Sequence, residues 1–262
     1  MNKIIQSGRI IFGIGIAALG VLQFFVKDFI VARPPSPAWA AGIPGKFAWA
    51  YASGILLIIS GLAIVANKKG RVAALCIAIL VFIGSFLTRN LPDMAAVGKA
   101  EDLLWKVNAY KALAICGGAL VVAASFSPKK NNFLMVAGCT SLALFLVICG
   151  LAHFKFADFV KDLVPAYIGN GYFWTYFAAV ALLAGGVGII FKQTRKWAVL
   201  LSGIMILLWF ALLHIPRAIN IPPHTSVPIY GEWMGVFESF AFSGIFFVLT
   251  GLSDDAKRVR NP

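Results

Sequence analysis

The three histidines are the residues best suited to chemistry in this sequence, and His153, His214 and His224 all fall in its second half. An imidazole can ligate a metal, pair with another imidazole across a haem iron, or exchange a proton with a quinone headgroup. It can also simply lie at a membrane surface, where one side of the ring is wet. No metal-ligand spacing accompanies the histidines, so we predict no metal site. The cofactor stays unknown, with a quinone among the candidates, and His153 and His214 are candidate catalytic residues.

Lys111 and Glu238 are ionisable residues set inside long apolar runs. Such residues cost roughly 2.5–3.5 kcal/mol on membrane-insertion scales and usually face a bundle interior with a partner. We expect the two to pair with each other, or Glu238 to serve His214 or Arg217. Glu238 is therefore a third candidate catalytic residue and Lys111 a candidate for substrate binding. A purely structural ion pair is the alternative.

Arg217, Trp174 and Trp233 are the remaining candidates for substrate binding. A guanidinium can hold an anionic substrate or a lipid phosphate by two parallel hydrogen bonds. An indole can stack on a quinone ring. The alternatives are that Arg217 is an anchor reaching the membrane surface and that the tryptophans belong to the interfacial aromatic belt.

The elements that carry these residues are apolar runs. The 262-residue chain is 60% hydrophobic and 13% charged, whereas soluble domains are about 25% charged. About 20 apolar residues are needed to cross a bilayer as a helix. Runs of that kind lie at 4–26, 47–66, 72–87, 107–126, 133–153, 173–191, 197–214 and 233–252. We predict an all-α, polytopic membrane protein of about eight transmembrane helices.

The net charge of +13 is distributed unevenly between the ends of these runs. One side holds the N-terminus, the C-terminal tail and the turns at 67–71, 127–132 and 192–196. It carries 13 of the 23 Lys and Arg residues. Because basic loops stay in the cytoplasm, we predict a multi-pass protein of the inner (plasma) membrane with both termini cytoplasmic. The predicted partners are the lipid bilayer and other membrane or periplasmic subunits, and no nucleic acid.

The chain repeats itself after about 130 residues. Segment 20–30 aligns with segment 150–160, with Gly, Phe, Asp and Phe in common, and Trp49 and Tyr51 align with Trp174 and Tyr176. We predict two four-helix repeats, residues 1–128 and 129–262. Since four crossings return the chain to its starting side, the two repeats must run parallel.

The second repeat contains His-Phe-Lys-Phe-Ala-Asp-Phe-Val-Lys-Asp-Leu-Val-Pro at 153–165, then Phe-Trp-Thr-Tyr at 173–176 and Ala-Gly-Gly-Val-Gly at 184–188. These segments resemble the first two helices of the DoxX (DoxX/DoxD) family of small four-helix membrane proteins. Segment 111–123 of the first repeat resembles the last helix of that family. The family histidine is Gln23 in the first repeat, and the acidic residue of the second family helix is missing from both.

The resemblance implies a DoxX-like fold in each repeat and, from some members of the family, a link to quinone-dependent sulfur oxidation or to redox-stress complexes. We therefore predict a component of a quinone- or redox-linked membrane system, with an outer-face site in the second repeat. Whether the protein is an enzyme stays open. The alternatives are a non-enzymatic scaffold or accessory subunit of a larger membrane complex, and a carrier of lipids or small solutes.

Overall fold

The computed structural model describes residues 2–32, 44–96, 102–127, 131–220 and 229–258. Within these ranges every regular element is a helix, and eight helical stretches are long and apolar enough to cross a membrane. The predicted all-α, multi-pass fold is confirmed.

The helices are α1 (Lys3–Val26), α2 (Lys46–Val65), α3 (Gly70–Val81), α4 (Leu91–Ala96), α5 (Asp102–Ser125), α6 (Asn132–Lys155), α7 (Ala157–Lys161), α8 (Gly171–Ile190), α9 (Arg195–Trp209), α10 (Ile215–Ile219) and α11 (Ile229–Arg258). The eight spans, numbered in chain order, are formed by α1, α2, α3 with α4, α5, α6, α8, α9 with α10, and α11. Helices are the expected solution, because lipid cannot satisfy backbone N–H and C=O groups.

The third and seventh spans change their helical form near the end of the bundle opposite the two chain termini, which we call the outer end. A π-helical segment, Phe82–Asn90, joins α3 to α4, and another, Phe210–His214, joins α9 to α10. A proline stands at the second position of the helix that follows in each case, Pro92 and Pro216. Single π-helical turns are frequent at functional sites, and the second of these segments ends at a histidine.

The pattern of helix neighbours repeats after four spans. Each span packs against the next one, the first packs against the eighth, and the fourth packs against the eighth across the centre. Replacing every span by the one four positions later leaves this pattern unchanged. The central fourth and eighth spans are also the most buried, at 61% and 72% of their windows. The pattern supports the division into residues 1–128 and 129–262, which stays a prediction.

Glycines bring the helices of this bundle into backbone contact. A Cβ atom on Gly61 would lie 2.4 Å from the carbonyl oxygen of Gly13, and one on Gly8 would lie 2.6 Å from that of Gly244. These contacts join the first span to the second and the eighth. Close approach of this kind is how helices associate in lipid, where van der Waals packing replaces the hydrophobic drive.

Polar interactions at one end of the bundle join the first span to the fourth and the seventh span to the eighth. Arg9, near the start of the first span, donates to the hydroxyl and carbonyl oxygens of Ser125 at the end of the fourth. Lys196, at the start of the seventh span, pairs with Asp254 of the eighth at 2.5 Å. Gly251 of the eighth span packs against Ile5 of the first, so the first span begins and the eighth ends at the same end of the bundle.

Candidate functional site

A cavity of about 770 Å³ lies between the fifth, sixth and seventh spans. Its lining is almost entirely apolar, and the polar side chains in it are those of His153, Thr175, Ser202 and His214, together with the indoles of Trp174 and Trp209. Both histidines predicted as candidates therefore line the same cavity. Their separation along the chain left this question open at the level of sequence.

Small residues create the space. Ala181, Ala184 and Gly185 of the sixth span line the cavity opposite Ala198 and Ser202 of the seventh. The two spans touch at this end of the cavity, where a Cβ atom on Gly185 would lie 2.5 Å from Ser202 Oγ. From that contact the cavity extends towards the outer side, where the histidines lie.

His153 is held in a defined orientation on the fifth span. Its Nδ1 lies 2.8 Å from the carbonyl oxygen of Cys149. Since a carbonyl only accepts hydrogen bonds, Nδ1 carries the proton and donates it. The ring also stacks on Trp209, with 6.3 Å between ring centroids and 17° between planes. Nε2, the other ring nitrogen, has no hydrogen-bond partner among the described residues.

His214 closes the cavity towards the eighth span. It is the last residue of the π-helical segment Phe210–His214. Its ring packs against Gly235, where an added Cβ atom would lie 3.0 Å from His214 Nδ1. A side chain at position 235 would displace the ring, so this glycine makes room for the histidine. Neither ring nitrogen has a hydrogen-bond partner in the described part of the chain.

Thr175 is a member of the site that the sequence analysis did not identify. Its side chain is 1% exposed, and its hydroxyl oxygen is buried with no hydrogen-bond partner among the residues described. A buried hydroxyl without a partner costs roughly 1–3 kcal/mol. Thr175 lines the cavity, so rotation of its side chain would present this hydroxyl to a ligand there.

In the first half the corresponding side chain is Gln23: its amide nitrogen is bonded within the protein, and its Oε1 is buried without a hydrogen-bond partner among the described residues. Gln23 aligns with His153, and its amide donates to the carbonyl oxygen of Ala50 at 2.7 Å and to Ser53 Oγ at 2.6 Å. Ala50 is the residue aligned with Thr175. The two halves thus place the same helix positions side by side, with different chemistry in each.

The outer connections of the two halves also differ. In the first half Ile30, Val31 and Ala32 are fully buried, and Ser85 Oγ donates to the carbonyl oxygen of Val31 at 2.5 Å. The aligned Val160 of the second half lies at the edge of the cavity instead. In the first half, residues 30–32 therefore fill the position between the helices. In the second half, the equivalent position is part of the cavity.

Residues 157–168, which we call the cap, cover the outer end of the cavity. Val160, Leu163, Val164 and Ile168 of the cap line it from that side. Four hydrogen bonds fasten the cap to the sixth and seventh spans. They run from Trp174 Nε1 to the Ile168 carbonyl at 3.2 Å, from the Tyr172 hydroxyl to Asp158 Oδ1 at 2.5 Å, from Arg217 Nη1 to the Leu163 carbonyl at 3.2 Å, and from the Tyr167 hydroxyl to the Leu212 carbonyl.

The cavity opens sideways, between the sixth and seventh spans. Phe177, Leu201, Leu208 and Leu212 line it and are at the same time 48 to 61% exposed on the outer surface of the bundle. That surface faces lipid in a protein of this kind. The cavity is therefore accessible from the membrane and shielded by the cap from the water beyond it.

Lys111 and Glu238 lie outside the cavity. Lys111 Nζ lies 2.9 Å from Glu238 Oε2, and Glu238 Oε1 accepts the backbone N–H of Ala32 at 2.6 Å. Both groups are thus engaged in contacts between the central spans and the outer connection of the first half. Their catalytic and binding roles stay predictions.

Arg217 and the two tryptophans are placed differently from one another. Arg217 binds Glu232 through two hydrogen bonds of 2.5 and 3.2 Å, in addition to its contact with the cap. Trp174 lines the cavity, whereas Trp233 packs against Phe237 with 5.9 Å between ring centroids. The binding roles of Arg217 and Trp233 stay predictions. His224 lies outside the described residues.

Groups of three or more His, Cys, Asp or Glu side chains suited to a metal ion are absent from the described ranges. No match to this chain was found among curated proteins or among solved structures. One family model, described as a domain of unknown function (DUF8561), matches residues 142–224. Over that stretch the chain is similar to this domain, and every residue that lines the cavity falls within it.

Proposed function

We propose that this protein is a component of a quinone- or redox-linked membrane system and that its second half binds a membrane-dissolved ligand at an outer-face site. The observation that carries the proposal is that His153 and His214 line one apolar cavity of about 770 Å³. Cavities of roughly 300–1,000 Å³ with mostly apolar walls and a few polar groups are typical of small-molecule sites.

The route of access supports a ligand that comes from lipid. An apolar opening between the sixth and seventh spans admits a molecule dissolved in the bilayer, and the cap keeps water away from the same space. The proposal puts a quinone headgroup beside His153, Thr175 and Trp174, with its tail running towards the opening. The resemblance of residues 153–188 to the DoxX family points in the same direction.

The charge distribution supports the orientation. The side that holds both chain ends carries 13 of the 23 basic residues, so it faces the cytoplasm of a cell whose inner membrane holds the protein. The cavity then lies in the outer half of the membrane. A periplasmic or membrane-bound partner would contact the protein on the same face.

The alternative function is a non-enzymatic scaffold or accessory subunit of a larger complex. One observation favours it: Lys111, Glu238 and Arg217 are all held in ion pairs within the chain. These charges stabilise the bundle whether or not a ligand binds. The scaffold would copurify with a partner and would contain no specific ligand.

The test is to identify what the purified protein carries. We would purify it in detergent, record its absorption spectrum, and analyse the extracted lipids by mass spectrometry. The proposal expects a quinone enriched over a membrane protein of similar size prepared in the same way, and loss of that enrichment in the double variant His153→Phe/His214→Phe. Equal quinone content in both proteins, with a stable partner subunit, would favour the scaffold.

A further inference from the structure

We infer that the cavity selects the hydroxyl-bearing, reduced form of its ligand, a quinol over the corresponding quinone, with His153 Nε2 accepting the hydrogen bond of a ligand hydroxyl. The inference rests on the proposed function for the class of ligand. It adds two points: the oxidation state of the ligand that the site prefers, and the atom that distinguishes the two oxidation states.

The first step is the tautomer of His153. The 2.8 Å hydrogen bond to the Cys149 carbonyl fixes the proton on Nδ1. In the neutral ring Nε2 then carries a lone pair and can only accept. Charging the ring would place a cation in an almost entirely apolar cavity, which is unfavourable without a paired anion. No carboxylate lines the cavity.

The second step is the chemistry of the group that meets Nε2. The carbonyl oxygens of a quinone are acceptors, so a quinone placed there would set two lone pairs against each other. The hydroxyl of a quinol donates, and it satisfies Nε2 directly. A good hydrogen bond and an unsatisfied acceptor differ by roughly tenfold or more in affinity.

The third step concerns the other polar groups of the cavity. The Thr175 hydroxyl is buried without a partner, and a rotating hydroxyl can donate to a quinone carbonyl or accept from a quinol. The nitrogens of His214 are likewise free of hydrogen bonds within the described residues, so the ring can take either tautomer. Ser202 lies at the opposite end, beside Gly185. His153 is therefore the group that discriminates between the two forms.

The fourth step is the place of the tail. Trp174 and Gly185 lie eleven residues apart on one helix, so the cavity extends about 16 Å along the sixth span. A headgroup at the His153 end leaves this length, and the opening between the sixth and seventh spans, for an apolar chain. The ligand is accordingly a single-chain amphiphile with a hydroxyl on its ring.

The experiment uses three probes with the same ring and tail and different donor capacity: a benzoquinone with a ten-carbon tail, its two-electron-reduced hydroquinone, and the dimethyl ether of that hydroquinone. Binding to the detergent-purified full chain is measured without oxygen, by calorimetry and by fluorescence of the cavity tryptophans. We expect the hydroquinone to bind about tenfold more tightly than the quinone or the ether.

Variants assign the preference to an atom. His153→Phe should bring the three affinities within about twofold of one another, and Thr175→Val should weaken all three while keeping their order. Val180→Leu, on the lipid-facing side of the sixth span and outside the cavity lining, is the control that should keep the wild-type pattern. If His153→Phe does not fold, His153→Leu, which also lacks a hydrogen-bond acceptor, tests the same point.

The outcomes separate this inference from the proposed function. Equal binding of quinone and hydroquinone by the wild-type protein would overturn the preference and leave the proposed function standing. A hydroquinone preference that survives both His153 variants would show that another group accepts the hydrogen bond. Failure of all three probes to bind would overturn both.

Discussion

Lys111 and Glu238 form an ion pair that joins the fourth and eighth spans at the centre of the molecule, with 2.9 Å between Nζ and Oε2. The carboxylate side chain is 4% exposed and the lysine side chain 19%. Glu238 also accepts the N–H of Ala32, whose backbone has a positive φ of 64°. The pair therefore links the two halves and fixes the end of the first outer connection.

Removing both partners of this pair should destabilise the protein by less than the two single losses added together. Lys111→Met leaves a carboxylate buried without a cation, and Glu238→Gln leaves a half-buried ammonium without an anion; each should cost about 3–5 kcal/mol. Glutamine at 238 keeps an oxygen for the Ala32 N–H. The double variant Lys111→Met/Glu238→Gln should therefore recover at least 1 kcal/mol relative to the sum of the single variants.

The measurement is thermal or denaturant unfolding in one detergent, analysed as a double-mutant cycle. If the losses in unfolding free energy of the two single variants add up to that of the double variant, the interaction between Lys111 and Glu238 does not stabilise the protein. A loss of quinone binding in the double variant, with stability retained, would show instead that these residues act in function as the sequence predicted.

Arg217 should control how firmly the cap closes the cavity. Its guanidinium makes two hydrogen bonds to Glu232 and one to the Leu163 carbonyl. Arg217→Lys keeps the charge but cannot make all three, and we expect a loss of about 1–3 kcal/mol. Residues 157–168 should then exchange amide hydrogens faster, while the central spans keep their protection.

Lys161→Met is the matched control for the cap. Lys161 pairs with Asp162 on the exposed surface of the same segment. Exposed pairs contribute little to stability, so hydrogen exchange in the cap should stay at the wild-type rate. Unchanged exchange in Arg217→Lys would mean that Tyr167 and the apolar residues hold the cap without help from the arginine.

The spans could be predicted from sequence because lipid imposes a simple rule of length and hydropathy. The third span is the instructive exception. Its apolar run ends at residue 87, yet the helix continues through the buried Arg89 and Asn90. Asn90 donates to the carbonyl of Ser85 at 3.0 Å within the π-helical segment. Arg89 pairs with Asp28 of the first outer connection at 3.7 Å. In sequence, polar residues that are bound inside the bundle in this way look like the end of a helix.

The site could be predicted only in part, because small residues in a span can either bring two helices into contact or leave a cavity between them. Gly13 and Gly61 bring helices into contact, whereas Ala181 and Ala184 of a similar pattern border a cavity. Only the positions of the neighbouring helices distinguish the two. Thr175 was missed for a related reason: a threonine in a span usually bonds its own helix, as Thr88 does with the Gly84 carbonyl at 3.0 Å.

The orientation can be tested with single cysteines in a variant lacking the four native ones. Asp162→Cys lies in the cap, where the native side chain is 71% exposed, and Lys68→Cys lies in the exposed turn between the second and third spans. We expect a membrane-impermeant maleimide to label position 162 in intact cells and position 68 only after the membrane is opened. The reverse pattern would place the cavity in the inner half of the membrane.

Filling the cavity should abolish ligand binding without harming the fold. Ala181 lines the cavity, and its neighbour Val180 is 59% exposed on the lipid-facing side of the same span. Ala181→Phe places a phenyl ring in the space, so the unliganded protein should keep or gain stability, by up to about 2 kcal/mol, as in other cavity-filling substitutions. Quinone content after purification should fall at least tenfold.

Val180→Phe is the control, because it adds the same ring on the lipid-facing side. It should change neither the stability nor the quinone content. If Ala181→Phe unfolds the protein, the cavity beside residue 181 is too narrow for a ring. If the variant folds and still retains the quinone, the ligand binds elsewhere.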